Sequence, residues 1–382
     1  MAKVTALFRI SIICLLAANI LAGCGDDEVS PEYGTIVINL EPDDGPQHWT
    51  ISGGGSAITG TGNRRLTMMP TNLTYTIQAT HELGWIGDGF DSQSVYLKNN
   101  ATHEFQLDFQ PFELGAFVEI PGGTFTMGSP IEQEGSHEDE QPEHEVTISR
   151  PLLVKETEVT QLEYLAIMNT RPSRNRLCDT CPVEQISIRS AVTFCNLLSE
   201  WAGLQLPYTI EPDTIICDWQ ANGYRLPTEA EWEYFCRAGT TTRFSFGDDK
   251  IGLDGHAWHN GNADNLTHPV GLKFSNPWGL YDVHGNVWEM TWNGYYWYPD
   301  EAVVDPRRGP HNELRMARGG GYQRDWSYAT SSWRATYRYY DRLNNVGLRV
   351  VRYADGKVGK GGNAGSESGF PVPEDKPLNP CE

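Results

Sequence analysis

The sequence predicts an α+β protein in two parts: a small β-sandwich over residues 33–111, then a larger mixed domain over 115–353 with little regular secondary structure. Three observations carry this expectation. Residues 33–111 alternate apolar and polar positions in short runs broken by Gly, Pro and Asn, which is the period of half-buried strands. Beyond residue 115 only three segments carry helix-start chemistry. The 382 residues include 39 Gly, 23 Pro, 12 Trp and 17 Tyr, a composition that favours turns and aromatic-pinned loops over long helices.

Taken in order, residues 34–40, 73–79 and 103–109 show the alternation most cleanly. Nothing in them suggests chemistry, and a spacer role fits. Residues 117–128 read as two strands joined by the turn Pro121-Gly122-Gly123. Thr160 and Glu163 make a capping box ahead of Leu162, Tyr164, Leu165 and Met168, so a helix is predicted there. A second helix is predicted over 189–202, with Gly203 as its stop. A third follows Pro227: Thr228 caps it, Glu231 closes the box, and Trp232, Phe235 and Cys236 face inward. Residues 354–382, rich in Gly, Pro and charge, read as a disordered tail.

The N-terminus reads as an export signal. Lys3 and Arg9 precede an apolar stretch over 10–20, shorter than the roughly 20 residues a membrane span needs. Leu21, Ala22, Gly23 and Cys24 close it in a pattern that resembles the lipobox of bacterial lipoproteins. That resemblance implies removal of residues 1–23, lipid on Cys24 and a tether over 24–32. The chain is then expected in the bacterial cell envelope, at the periplasm or outer membrane, held to the membrane through its lipid anchor; the alternative is an ordinary secreted protein. A formal charge of −21 argues against nucleic acid and anionic lipid as partners. Beyond Cys24 remain Cys178, Cys181, Cys195, Cys217, Cys236 and Cys381, an even number that points to disulfides in an exported chain. Cys178 and Cys181 read as a structural loop disulfide, ahead of a redox pair or half of a zinc site. Cys195 and Cys236 are candidates to pair with each other.

Four segments then stand out: IPGGTFTMGSP (120–130), GYRLPTEAEWEYFCRAGT (223–240), GLYDVHGNVWEM (279–290), and ARGGGYQRDWSYATSSWRATYR (317–338) with NNVGLRVVR (344–352). In this order they resemble the formylglycine-generating enzyme, or sulfatase-modifying factor, family, and they span nearly all of 115–353. The resemblance implies a compact fold related to C-type lectins. Oxidase members turn a substrate cysteine into formylglycine with oxygen and Cu(I), held between two thiolates a few residues after a glycine turn. Here the turn is Gly319, Gly320, Gly321 and Tyr322. The first cysteine position falls on Arg324 and the second on Ala329 or Thr330, and no cysteine lies between Cys236 and Cys381. Arginine has no lone pair for a metal, and its charge opposes a cation. Copper is therefore not expected, and no catalytic residue is assigned.

The resemblance also implies structural calcium, with Asp282 and Glu289 as side-chain ligands and Gly285 and Val287 as carbonyl ligands. Two acids flanking a Gly-containing turn suit a hard cation; the alternative is a buried, hydrogen-bonded turn. Asp282 stands where well-known members carry an amide. His256, His259, Asp264 and His268 lie in a Gly/Asn-rich loop without helical spacing and read as incidental loop residues, not a metal centre. His137 and His144 fall in the acidic run 132–145, read as a solvated loop. Arg349 is expected to make internal hydrogen bonds. What remains is surface: Arg324, Trp326, Tyr328 and Trp333 are of the types that anchor interfaces, although about half of the aromatics around them are expected in the core. The expected function is binding of a protein, peptide or glycan partner in the envelope by a degenerate domain of this family. The alternative is an oxidoreductase of the formylglycine-generating or non-haem iron kind acting on a sulfatase-type or other peptide.

Overall fold

The computed structural model describes residues 32–41, 48–80, 85–87, 93–176, 178–212, 214–308 and 314–354. The export signal, Cys24, the tether up to residue 31, the tail from residue 355 and Cys381 lie outside the described residues.

The first part contains β1 (Tyr33–Glu41), β2 (His48–Gly53), β3 (Ser56–Thr61), β4 (Arg64–Pro70), β5 (Leu73–Thr80), β6 (Trp85–Gly87), β7 (Gln93–Leu97) and β8 (Thr102–Pro111). They form two four-stranded sheets, ordered β4-β1-β8-β6 and β3-β2-β5-β7. Every second residue of β1 is buried, and Ile36, Ile38 and Leu40 meet Trp49, Ile77 and Phe105 in one apolar cluster drawn from both sheets. The expected sandwich is therefore observed. Its β1 and β8 run parallel, an arrangement that alternation does not report.

The second part carries β9 (Phe117–Ile120), β10 (Gly123–Met127), β11 (His144–Ile148), β12 (Leu152–Lys155), β13 (Tyr208–Ile210) and β14 (Ile215–Cys217). Further along are β15 (Trp288–Gly294), β16 (Val303–Val304), β17 (Leu314–Arg318), β18 (Ala335–Arg338), β19 (Val346–Gly347) and β20 (Val351–Tyr353). The turn at Pro121 sends its two strands into different sheets: β9 joins β12 and β20, while β10 joins β11 and β16. The largest sheet runs β18-β17-β15-β19, and β13 pairs only with β14.

All three predicted helices form. In α1 (Gln161–Met168) the Glu163 amide donates to Thr160 Oγ1 at 3.2 Å and the Thr160 amide donates to Glu163 Oε2 at 2.7 Å, completing the box. α2 (Ile188–Trp201) stops before Gly203, whose φ of +67° is the left-handed geometry glycine tolerates best. α3 (Glu229–Arg237) has the box of Thr228 and Glu231. Trp232, Phe235 and Cys236 are fully buried as expected, and burial of each large ring stabilises the fold by about 2–3 kcal/mol.

One expectation fails, and one feature of α3 goes beyond what the sequence suggested. Cys178 and Cys181 form the loop disulfide, but Cys195 and Cys236 do not pair: both are free and buried, one in the cluster around α2 and the other in the cluster around α3. More consequential, the polar face of α3 is buried as well as its apolar face. Glu229 accepts from Arg334 Nε at 2.7 Å and from Arg318 Nη1 at 3.0 Å. Glu233 accepts from Arg318 Nη2 and Arg237 Nε, and Glu231 holds Arg225 at 2.7 Å through both oxygens.

Burial alone would push Glu229 upward, but Arg334 and Arg318 outweigh it and hold its pKa below the ordinary value of 4.5. A lowered carboxylate contributes fully at neutral pH and loses that contribution as pH falls through the lowered pKa. Glu229→Gln removes the charge that faces two buried arginines. We expect it to cost about 3–5 kcal/mol in urea unfolding. A variant as stable as the parent would show that the amide satisfies the arginines equally well.

Candidate functional site

The face that the family resemblance singles out is built on the turn after β17. The Gly285 amide donates to Gly319 O at 2.7 Å, and the Tyr322 amide donates to Asn286 O at 2.8 Å. Gly320 has φ +77°, and a Cβ there would lie 2.9 Å from both Tyr328 O and Ala329 Cα, so the turn touches the segment after it directly. That segment is a single 3-10 turn, Trp326–Ala329, capped by Asp325, whose Oδ1 accepts from the Ser327 amide at 2.9 Å.

Arg324 is half-buried, with its guanidinium carbon 5.2 Å from the Tyr328 ring centre. Ala329 is buried with Phe244, Leu253 and Ala257, and its carbonyl accepts from His284 Nδ1 at 2.7 Å. His284 Nε2 in turn accepts from the Ser245 amide at 3.1 Å and lies 2.9 Å from its hydroxyl. Burial pushes His284 down to about 4, so the ring is neutral at physiological pH and acts as a strut. The thiol of Cys236 sits 3.8 Å from Val283 O, and burial pushes its pKa up to about 12, so it is no thiolate at neutral pH.

The four expected surface residues divide. Arg324, Trp326 and Tyr328 keep partial exposure. The Trp326 ring receives Lys250 Nζ at 4.4 Å and the Arg243 guanidinium at 5.2 Å. Trp333 belongs instead to the core: it is 8% exposed, 4.7 Å from the Tyr328 ring and 5.6 Å from His137. Tyr337 is likewise buried, while Tyr340 is open. Sequence reasoning also missed three exposed apolar side chains, Ile251 at 84%, Leu272 at 62% and Phe274 at 69% exposure. The run Tyr295, Tyr296, Trp297 and Tyr298 was missed too; the Arg334 guanidinium lies 4.2 Å from the Tyr298 ring. Four consecutive aromatics were the available signal.

At the turn between the two acids, Asp282 Oδ2 accepts from the Gly271 amide at 2.7 Å, while Oδ1 is buried without a partner. Burial pushes its pKa up to about 6. Glu289 is fully engaged: Arg349 Nη2 donates to Oε1 at 2.6 Å and Trp232 Nε1 to Oε2 at 2.7 Å. Arg349 spends its remaining donors on the carbonyls of Lys155, Glu156 and Tyr281, the internal bonding expected of it. A third acid, Glu158, accepts from the Val287 amide at 3.1 Å and from Asn286 Nδ2 at 2.9 Å. Burial, Asp282 and Glu289 push Glu158 well above the ordinary range. The buried, unpartnered oxygen of Asp282 fits a hard cation, while Glu289 is held by its arginine.

Among the described residues, no three His, Cys, Asp or Glu side chains converge as metal ligands. The loop histidines have local partners: His259 Nε2 lies 2.7 Å from Asp254 Oδ1, His256 stacks on Phe246, and His268 stacks on Trp258. His144 is buried rather than solvated, 4.8 Å from the Tyr298 ring.

Comparison with known proteins agrees with this geometry. The chain is 29% identical over 267 residues to a chaperone protein named LppX of Paenibacillus barcinonensis, covering 62% of this chain and 88% of that one. It is 28% identical to the formylglycine-generating enzyme of Streptomyces coelicolor, covering 62% and 89%. Among solved structures, Treponema denticola variable protein 1 superposes with a TM-score of 0.58 at 27% identity, covering 62% of this chain and 94% of that one. PvdO from Pseudomonas aeruginosa gives 0.52, also at 27% identity and the same coverage. The model of the sulfatase-modifying factor enzyme 1-like domain matches residues 105–354, and the chain belongs to that family.

Proposed function

We propose that this chain is an exported, lipid-anchored protein of the bacterial envelope whose family domain binds a protein, peptide or glycan partner and does not run copper oxidation. One observation carries the reading. The two positions matched to the copper thiolates hold Arg324, a cation half-buried against Tyr328, and Ala329, a methyl sealed in a small core. Two-coordinate Cu(I) needs soft donors, and neither residue supplies one. The half-exposed Trp326 and Tyr328 offer an interface instead. The relative named as a chaperone supports a binding role. The relatives named formylglycine-generating enzyme favour the competing oxidase reading. Metal analysis of the purified chain, with oxygen uptake in the presence of a Cys-x-Pro-x-Arg peptide, separates the two. We expect neither bound copper nor peptide-dependent uptake; stoichiometric copper or iron with turnover overturns the binding reading.

The lipobox-like 21–24 segment supports envelope anchoring, and no described helix is long and apolar enough to cross a membrane. Cys24→Ala should move the chain from the detergent-extracted membrane fraction to the soluble exported fraction. An unchanged distribution would remove the lipid anchor.

Calcium is part of the same proposal. Asp282 would hold it through Oδ1, with the carbonyls of Gly285 and Val287, and Arg349 would keep Glu289 oriented beside it. The ion would tie down an irregular loop. Without a cation, the raised Asp282 favours its protonated form: that stabilisation is present below the ordinary value of 3.8 and is lost as pH rises through about 6. At neutral pH, calcium should therefore raise the melting temperature of the parent and leave Asp282→Ala unmoved. Equal melting of the parent in calcium and in chelator sinks the cation.

A further inference from the structure

Four rings run in a line of contacts from the interior of the second domain to its surface. Phe244 is fully buried and stacks on Phe246, with centroids 5.0 Å and planes 3° apart. Phe246 stacks in turn on His256 at 4.0 Å, and His256 meets Phe274 at 5.4 Å. Phe274 is the open end, 69% exposed. The backbone fixes this order. The Phe274 amide donates to Gly255 O at 2.8 Å, His256 Nδ1 donates to Gly252 O at 2.9 Å, and a Cβ on Gly252 would lie 3.1 Å from the Phe246 ring. Ile251, one residue before that glycine, is the most open of these side chains. Trp326 packs against the same small core as Phe246. Open apolar side chains joined by direct ring contacts mark an interaction face. The charges at its rim are balanced: Lys250 follows Asp249, and Lys273 Nζ donates to the carbonyl of Asp254 at 2.6 Å. An apolar occupant is therefore favoured over a charged one.

We propose that this aromatic face takes a proline-rich segment, and that its occupant is residues 370–380 of this same chain. The inference goes beyond the partner-binding reading and holds whichever way that reading falls. The described fold ends at Ala354, whose amide donates to Pro151 O at 2.9 Å. Residues 355–369 then carry six glycines, and 370–380 carry Phe370, Val372 and Leu378 among Pro371, Pro373, Pro377 and Pro380. A tether of fifteen residues spans at most roughly 50 Å. A compact domain of this size is about 45 Å across, so the tether is long enough to serve most of its surface. Proline presets φ near −65°, so a proline-rich strand in the polyproline II form loses little freedom on docking. Its pyrrolidine rings and the apolar side chains between them pack on aromatic-lined surfaces, the general mode of proline-rich recognition. A tether this short holds its ligand at about 1 mM, so even a contact of about 0.1 mM affinity is about nine-tenths occupied.

The test is fluorescence anisotropy of a labelled peptide of residues 368–380, titrated with the purified full chain and with a tail variant carrying Phe370→Ser, Pro371→Gly, Pro373→Gly and Leu378→Ser. We expect the tail variant to bind the peptide at about 0.1 mM and the parent about tenfold more weakly, because its own segment occupies the face. The same peptide with glycine at its four proline positions should not bind. Phe274→Ser or Ile251→Ser, each added to the tail variant, should weaken peptide binding about fivefold. Both side chains are exposed, so circular dichroism should stay at the parent spectrum. No binding to the tail variant, or full binding after both surface substitutions, overturns the docking face. Equal binding by the parent and the tail variant overturns residues 370–380 as its occupant. A parent that dimerises in sedimentation and is dissociated by the peptide overturns docking within one chain and gives the face to the tail of a second copy.

Discussion

Arg318 is the group on which the second domain depends. It leaves the end of β17 with no solvent contact and reaches Glu229 and Glu233, one turn apart on α3, together with the carbonyl of Ser331. Arg334 and Arg237 then close the network from β18's approach and from the end of α3 itself. A domain whose described residues form four helices of 4 to 14 residues and strands of two to seven has few ladders to hold it. Buried ion pairs substitute for them, because each arginine fans several donors toward acceptors that lie far apart in sequence. Such pairs stabilise little relative to an apolar replacement, but they are costly to leave half-made, so they specify which loops meet.

That specificity places the candidate site. The residue after Arg318 is Gly319, whose carbonyl takes the Gly285 amide, so the ion network and the glycine turn share one piece of backbone. On the neighbouring strand β15, Glu289 repeats the device with Arg349, and Trp232 of α3 is the third partner. The turn is pinned from two sides, and the 324–333 segment inherits its position. The contacts that pin the turn do not involve the side chains at 324 and 329. The proposed exchange of oxidation for recognition then needs no change in the frame.

Charge is sorted through the interior by the cations within reach. Glu229 and Glu231 face arginines and are held low despite burial. Glu158, Asp282 and Glu140 are buried where positive charge is scarcer, and burial drives all three upward. Glu158 and Asp282 share the turn around Gly285, Glu140 lies in the loop between β10 and β11, and Glu184, pushed up to about 7, sits by the Arg174 amide. The turn around Gly285 is where a cation is proposed.

Local chemistry was legible in the sequence. Alternation over 33–111 located the strands, the boxes at Thr160 and Thr228 started their helices where the structure starts them, and the close spacing of Cys178 and Cys181 marked the loop disulfide. The missing sulfurs at Arg324 and Ala329 were equally plain, since identity at a position is a property of the chain alone. What depended on distant partners was not legible. Trp333 looked like surface and is core because Tyr328 and His137 cover it. Glu229 and Glu233 carried no signal in the sequence and are buried because Arg318 and Arg334 arrive from roughly a hundred residues away. Glu289 looked free to bind a metal until Arg349, 60 residues later, took its oxygens. Caps, turns and periodicity are set by neighbours along the chain, so the sequence determined them by itself. The partner of each buried charge is set by which loops fold together, and only the tertiary structure could decide that.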